Sequence, residues 1–374
     1  MLNNVLGIIN VIENEQTLGE LTEQRSLAAV PMGGRYRVID FPLSNMVNAG
    51  IKSIGIFTHY KMGSLVSHLK NGREWNLDTK RRGLFFLSPD FSKYLFSPNK
   101  WDVSHFTTRL GYIKTSTRNY VLITGCNIIC NIDYQKVGKF HQEKGAQITA
   151  VYKEILPEEK EKYSPYLSFR ISEESRIREV NSTPPPSGKD NMCVEMFFLS
   201  RQLLLELIDT CVKQNKWDLV RDGLLGNLRD IKVYGYHFPG YLAKINSLSN
   251  YYRHHMDLLQ PKVWRELFFA AGPIYTKAKD SVPTKYLADA SVQNSLVAND
   301  CIIGGKVENS IIFRGVKIGK GAHIKNSIIL EKGIIDNYSR VDYALLDKEV
   351  RVTKGKEVSG TDDAPVVIRK QNII

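Results

Sequence analysis

The sequence predicts an α/β protein: a doubly wound, mostly parallel sheet followed by a C-terminal left-handed parallel β-helix of hexapeptide repeats. Three observations carry this. Short β-rich runs alternate with helical ones over the first two thirds of the chain, and such alternation builds a sheet covered by helices on both faces. Strands such as Tyr120-Val121-Leu122-Ile123 are apolar without interruption, as strands buried on both faces are. From about Asp289 the helical pattern stops and apolar residues recur every six positions, the signature of stacked coils.

The elements follow in order. Strands are expected at Val5–Ile12, Ser53–Thr58, Tyr120–Thr124, Gln147–Tyr152, Cys193–Leu199 and Ile231–Phe238, and helices at Tyr134–Glu143, Arg201–Val212 and Leu248–Leu259. Thr183-Pro184-Pro185-Pro186-Ser187-Gly188 reads as a surface loop. The character changes near Pro261, so the expected division is a sheet domain over residues 1–260, a linker over 261–288 and the β-helix over 289–374. In the last part Ile312, Ile318, Ile324 and Leu330 are one hexad apart, and Val316, Ala322, Ile328 and Ile334 follow them at the same interval. Each hexad makes one flat side of a triangular coil, with both apolar positions inward. After Leu330 the register slips by one residue, to Ile335, Val341 and Leu345. An antiparallel sheet would repeat every two residues instead.

Composition narrows the function. A chain of 374 residues, 43% hydrophobic and 24% charged, suits a soluble globular protein of two domains. No apolar run is long enough to span a bilayer, and Met1-Leu2-Asn3-Asn4 lacks the basic and apolar regions of a signal peptide. A cytoplasmic location is expected. Cys126, Cys130, Cys193, Cys211 and Cys301 form no CxxC pair, which argues against a zinc site or a disulfide framework; Cys126 and Cys130 read as buried structural thiols. The net charge is +12, but its densest basic group is only Lys80-Arg81-Arg82. A solvated basic surface is expected, with no nucleic-acid or membrane partner, and some arginines suit acidic sugar phosphates. None of the eight histidines, His59, His68, His105, His141, His237, His254, His255 and His323, has convincing metal-ligand spacing. His254-His255 is expected in solvent, and His323 on the coil surface.

One stretch is specific: Ala29-Val30-Pro31-Met32-Gly33-Gly34-Arg35-Tyr36-Arg37-Val38-Ile39-Asp40-Phe41-Pro42-Leu43-Ser44-Asn45. It resembles the AVPFGGKYRIIDFPLSN block of the ADP-glucose pyrophosphorylase (glucose-1-phosphate adenylyltransferase) family. Gly72-Arg73-Glu74-Trp75-Asn76-Leu77-Asp78 resembles that family's GSPWDLD, Tyr120-Val121-Leu122-Ile123-Thr124-Gly125 its YVLILSG, and His255-Met256-Asp257-Leu258-Leu259 its NMDLL helix. The likeness spans nearly the whole chain. It implies a nucleotidyltransferase-like first domain in which glucose 1-phosphate attacks the α-phosphorus of ATP and pyrophosphate leaves. Such a transfer needs positioning, charge neutralisation and a carboxylate-held metal.

The family's chemical positions are replaced. Its glycine-rich loop, LAGGxGTRL, aligns with Ile9-Asn10-Val11-Ile12-Glu13-Asn14-Glu15-Gln16-Thr17-Leu18. Val11 and Ile12 stand near the glycines, and Glu13 and Glu15 bring negative charge where triphosphate would lie. Leu27 replaces the lysine of KPAVP; Cys126 replaces the aspartate of LSGDH; Lys244 replaces that of GYWKDVGT; Thr183 aligns with the lysine of EKP that holds the sugar phosphate. The resemblance therefore implies a non-catalytic subunit, without metal or cofactor, that joins a catalytic ADP-glucose pyrophosphorylase subunit in a heterotetramer. Arg35 and Arg37 are candidates for binding a sugar-phosphate effector; pairing with acids such as Asp40 is the bland alternative. Two other readings stay open: an active adenylyltransferase with a rearranged site, and a scaffold subunit of an exchange-factor-like complex.

Overall fold

The computed structural model describes residues 1–13, 15–58, 61–79, 82–88, 99–183 and 188–374. Lys80 and Arg81, residues 184–187 of the proline loop, His59 and Asn14 lie outside the described residues. The chain forms two compact units. The first comprises Met1–Asn14, Phe41–Lys244 and Phe269–Tyr275; the second comprises Glu15–Asp40, Ile245–Phe268 and Thr276–Ile374.

The first unit is built on a nine-stranded sheet. Val5–Asn10 lies at its centre, parallel to Tyr120–Gly125 on one side and to Ile54–Phe57 on the other. The strand Asp190–Ser200 runs antiparallel to Tyr120–Gly125 and to Ile148–Ile155, so the sheet is mixed at that point. Helix Arg201–Lys213 buries Leu204, Leu207, Ile208 and Cys211 in the same core as Phe197, Leu199, Ile8 and Ile123. Helix Tyr134–Glu143 sends His141 against Phe198, with ring centroids 4.9 Å apart. Adjacent residues on a strand face opposite ways, so the two helices cover opposite faces. Side-chain caps start both: Ser200 Oγ accepts from Leu203 N, and Asp133 Oδ1 from Gln135 N. Burying each large apolar side chain contributes about 1.5–3 kcal/mol.

The second unit contains three five-stranded parallel sheets wound as coils. Lys306 pairs with His323, His323 with Arg340 and Arg340 with Glu357. Val307, Ile324, Val341 and Val358 line one inner side; Ile303, Ile318, Ile335 and Val352 line a second. The third side differs from the expectation: Ile312, Ile329 and Leu346 stack in the core, so the register slips already at Ile329 and not after Leu330, and the later inner residue is Leu346, not Leu345. Ile334 is only half-buried while its neighbour Ile335 is in the core. Corners turn through left-handed backbone: Asn294, Asn309, Asn326 and Tyr343 have φ of 43, 44, 45 and 45°. Asparagine tolerates that region better than most residues. Beside this corner Ser327 N donates to Ser310 Oγ, and Ala344 N to Ser327 Oγ, at 3.1 Å each, so buried amides next to the turn are satisfied.

The GGRYR block belongs to this unit. Pro31–Met32 and Tyr36–Arg37 form a hairpin whose turn needs positive φ at Gly33 (56°) and Gly34 (85°). Helix Leu248–Asp257 receives it: Tyr251 hydroxyl donates to Pro31 O at 2.6 Å, and Gly33 N donates to His255 Nε2 at 3.2 Å. The expectation that His254 and His255 face solvent is overturned, since both are fully buried. The helix turns that face onto the hairpin, and burial lowers the His255 pKa to about 4. His255 is therefore neutral, with Nδ1 2.9 Å from Tyr251 O and Nε2 free to accept.

Candidate functional site

In an open parallel sheet, ligands bind beyond the carboxyl ends of the strands where the chain changes winding direction. Here that point lies between Val5–Asn10 and Tyr120–Gly125. Residues Val11 to Glu13 follow the first strand, and Cys126 and Asn127 follow the second.

The stretch aligned with the phosphate loop is committed to other bonds. Val11 N donates to Phe57 O at 3.0 Å, and Ile12 N donates to Asn10 Oδ1 at 3.2 Å. Both side chains are buried, at 1% and 4% exposure. Phosphate binding by such a loop requires N–H groups aimed at the ligand, and these two are used.

Glu13 turns into the crevice rather than out of it. Its Oε1 lies 2.7 Å from Lys100 Nζ, which also reaches Glu195 Oε2 at 2.6 Å and Asn127 Oδ1 at 2.9 Å. Cys126 Sγ is 3.8 Å from the same Glu13 oxygen, and Cys126 N donates to it at 3.4 Å. Glu195 sits at a bulge in the antiparallel strand, with φ of 56°. Burial depresses the Lys100 pKa, but the two carboxylates outweigh it and hold the ammonium protonated above its ordinary range. Burial pushes the Glu13 pKa up, against the pull of Lys100; Glu195 is held below the usual carboxylate range because Lys100 and Lys244 outweigh its burial.

Lys244 ends a short strand paired with Ile128–Cys130. Its Nζ donates to Tyr163 O at 2.8 Å and to Pro165 O, and burial lowers its pKa while Glu195 and Glu13 oppose the shift. The crevice thus holds two ammonium groups, two carboxylates and a buried neutral thiol. A divalent metal wants several oxygen ligands, and the donors here do not fit one: Cys126 offers sulfur, and both carboxylates face Lys100. Among the described residues no group of three His, Cys, Asp or Glu side chains gathers as metal ligands.

Val11, Cys126 and Lys244 therefore fall within one unit, around a network that sequence reasoning missed in Lys100, Glu195 and Asn127. Thr183 is an exposed bend in the same unit, after the strand Ile177–Asn181. Leu27, Arg35 and Arg37 belong to the second unit. Leu27 is buried at 1% exposure in a short 3-10 turn. Arg35 is exposed and lies over the Tyr36 ring, 5.1 Å from its centroid. Arg37 is half-buried; its backbone N donates to Asp40 Oδ2 at 2.9 Å.

Arg37 is part of a basic cluster whose other members the sequence did not reveal. Burial lowers its pKa, Glu331 and Asp40 oppose that, and Arg25 adds to it. Burial likewise lowers the pKa of Arg314, with repulsion from Arg35 next in size. Lys279 is lowered by burial and by Arg314 and Arg37. Lys348 pairs with Glu331 at 3.1 Å, and Arg25 pairs with Asp347. An arginine fork suits bidentate phosphate binding.

Comparison with known proteins agrees with both halves of this architecture. A nucleotidyl transferase family model matches residues 16–181, and a GlmU-like C-terminal hexapeptide model matches residues 281–365. The chain is 36% identical to the glycogen biosynthesis protein GlgD of Bacillus subtilis (strain 168), over 98% of this chain and 96% of that protein. It is 38% identical to the protein of the same name from Geobacillus stearothermophilus, over 100% of this chain and 98% of that one. A glucose-1-phosphate adenylyltransferase of Thermosipho africanus is 30% identical, over 87% of this chain and 78% of that enzyme. These matches, near full length for the two GlgD proteins, place the chain in the glucose-1-phosphate adenylyltransferase family, among its glycogen biosynthesis proteins GlgD.

Proposed function

We propose that this chain is a non-catalytic, regulatory subunit of an ADP-glucose pyrophosphorylase in bacterial glycogen synthesis. It joins a catalytic subunit in a cytoplasmic heterotetramer and changes that subunit's activity. One observation supports the reading: beyond the carboxyl ends of the two central strands, next to the stretch that resembles the family's phosphate loop, Lys100 is bonded to Glu13 and Glu195. A subunit without chemistry can shift a partner between less and more active states if it contacts the two differently. Coupling of about 1–3 kcal/mol changes affinity roughly 5–150-fold.

Arg35 and Arg37 supply the second half of the proposal. With Arg314, Lys279 and Lys348 they form a site for an anionic effector of sugar-phosphate type in the second unit. Among the described residues of this cluster, cations outnumber carboxylates, which favours a ligand carrying negative charge.

The test is co-expression with the catalytic subunit of the same organism, native mass measurement and an assay of ADP-glucose formation. A mixed complex with altered turnover or effector response is expected, and no turnover by this chain alone. Failure to form a mixed complex, or a complex indistinguishable from the catalytic subunit alone, rules the regulatory reading out. Turnover by the isolated chain on the order of 1–1,000 per second would instead support an active enzyme with a rearranged site. Cys126→Asp by itself should restore nothing, since residues that act as a unit do not contribute separately.

A further inference from the structure

We infer that Lys100 is an internal counter-cation that closes the crevice of the first unit to divalent metal and nucleotide. Three oxygen atoms, Glu13 Oε1, Glu195 Oε2 and Asn127 Oδ1, converge on its Nζ within 2.9 Å. Each belongs to a different stretch of chain, so the convergence is a product of the fold and not of a local turn. Hard oxygen donors gathered on one point are what a divalent cation requires. Here the point is held by an ammonium tethered to the backbone, and Asn10 Nδ2 fixes that backbone by donating to Lys100 O at 2.5 Å. Gly125 makes the seat, because a side chain there would overlap the ammonium.

Charge completes the argument. Lys100 and Lys244 balance Glu13 and Glu195, so an arriving divalent ion meets a neutral cluster and gains no net attraction. It would also have to displace a lysine whose bonds are all intramolecular and need no ligand concentration. Removing the ammonium leaves two carboxylates and one lysine, a net negative site with oxygen donors already in place. The inference does not depend on the assembly proposed above, and it is tested on the isolated chain.

Lys100→Ala is titrated with manganese and the free ion followed by electron paramagnetic resonance, with the unaltered chain, Glu195→Gln and Lys100→Ala/Glu195→Gln in parallel. The unaltered chain is expected to leave the free signal unchanged up to millimolar ion. Lys100→Ala is expected to take up one ion per chain at least tenfold more tightly, and the double variant to lose that uptake. Manganese uptake by the unaltered chain that Glu195→Gln abolishes overturns the inference, as does a folded Lys100→Ala that takes up none. If Lys100→Ala does not fold, competitive lysine acetylation of the unaltered chain decides. Lys100 should react at least tenfold more slowly than Lys139, whose side chain is 77% exposed; equal rates overturn the inference.

Discussion

Two charged clusters among the described residues, one in each unit, differ in their balance. In the first unit Lys100 pairs with both Glu13 and Glu195, and Lys244, bonded to the carbonyls of Tyr163 and Pro165, lies within the field of the same two carboxylates, so two cations stand against two acids. In the second, Arg25, Arg35, Arg37, Lys279, Arg314 and Lys348 surround Glu331, Asp40 and Asp347. A buried cluster with its charges matched holds itself and leaves no valency for a ligand. A cluster with surplus positive charge is under mutual repulsion, which a bound anion relieves. The balance of charge thus separates a cluster that satisfies itself from one that would gain by binding an anion.

The comparison breaks most sharply at Lys100. Lys100→Met should destabilise the chain by about 3–5 kcal/mol, the cost of leaving buried charge without its partner. Denaturant unfolding measures this, and a loss under about 1 kcal/mol would show that solvent, not Lys100, neutralises the carboxylates.

The second unit can be tested for its tolerance of one more positive charge. Native His255 stays neutral down to about pH 4, whereas an unfolded histidine takes up its proton near pH 6.5. Its folded pKa is lowered, so this contribution is fully present above about 6.5 and fades as pH falls towards 4. The stability difference between the unaltered chain and His255→Gln should shrink by up to about 3 kcal/mol from pH 7 to 4. A difference that stays constant with pH would mean His255 titrates normally.

A bisphosphate sharpens the contrast from the other side. Fructose 1,6-bisphosphate at a hundred times its dissociation constant should stabilise the chain by about 2.7 kcal/mol, and Arg37→Ala should remove most of that gain. Thermal melts read it directly. Equal stabilisation of both proteins would place Arg37 outside the anion site. The smallest effect belongs to a pair in water: Lys139 and Glu143, 3.5 Å apart and mostly exposed. Glu143→Gln should cost about 0.3–0.5 kcal/mol in the same unfolding assay. A loss comparable to that of Lys100→Met would mean burial is not what gives the Lys100 cluster its strength.

Most of the fold was legible because it rests on periodicity. Helix Tyr134–Glu143 falls where its pattern places it, and strand Tyr120–Gly125 ends one residue beyond the expectation. The hexads are equally local. Val11, Cys126 and Lys244 could be singled out because each stands in a stretch that resembles a motif. Lys100 could not, since its partners Glu13, Asn127 and Glu195 are far apart in the chain and share no spacing. One signal was present: Glu195 interrupts the apolar run from Met192 to Leu199. A lone carboxylate in a central strand must find a cation or a role. The same limit hid Lys279 and Lys348, which feel the charge of Arg37, and Arg314, which feels that of Arg35, since all three come from distant stretches of the chain. His254 and His255 were misread because their helix carries polar side chains on the face it buries.

The interleaving of the chain has a consequence for its synthesis. The segment Glu15–Asp40 is made early but belongs to the unit completed last. Pro31 O waits for Tyr251, and Arg25 waits for Asp347. Buried residues such as Leu18, Leu21, Leu27 and Val30 therefore have no home until most of the polypeptide has left the ribosome. The coils themselves close quickly, each on the one before it, as Ile302 does on Lys285, because short loops are cheap to close. The vulnerable interval lies before them, while an apolar N-terminal segment stays exposed to aggregation or capture by chaperones.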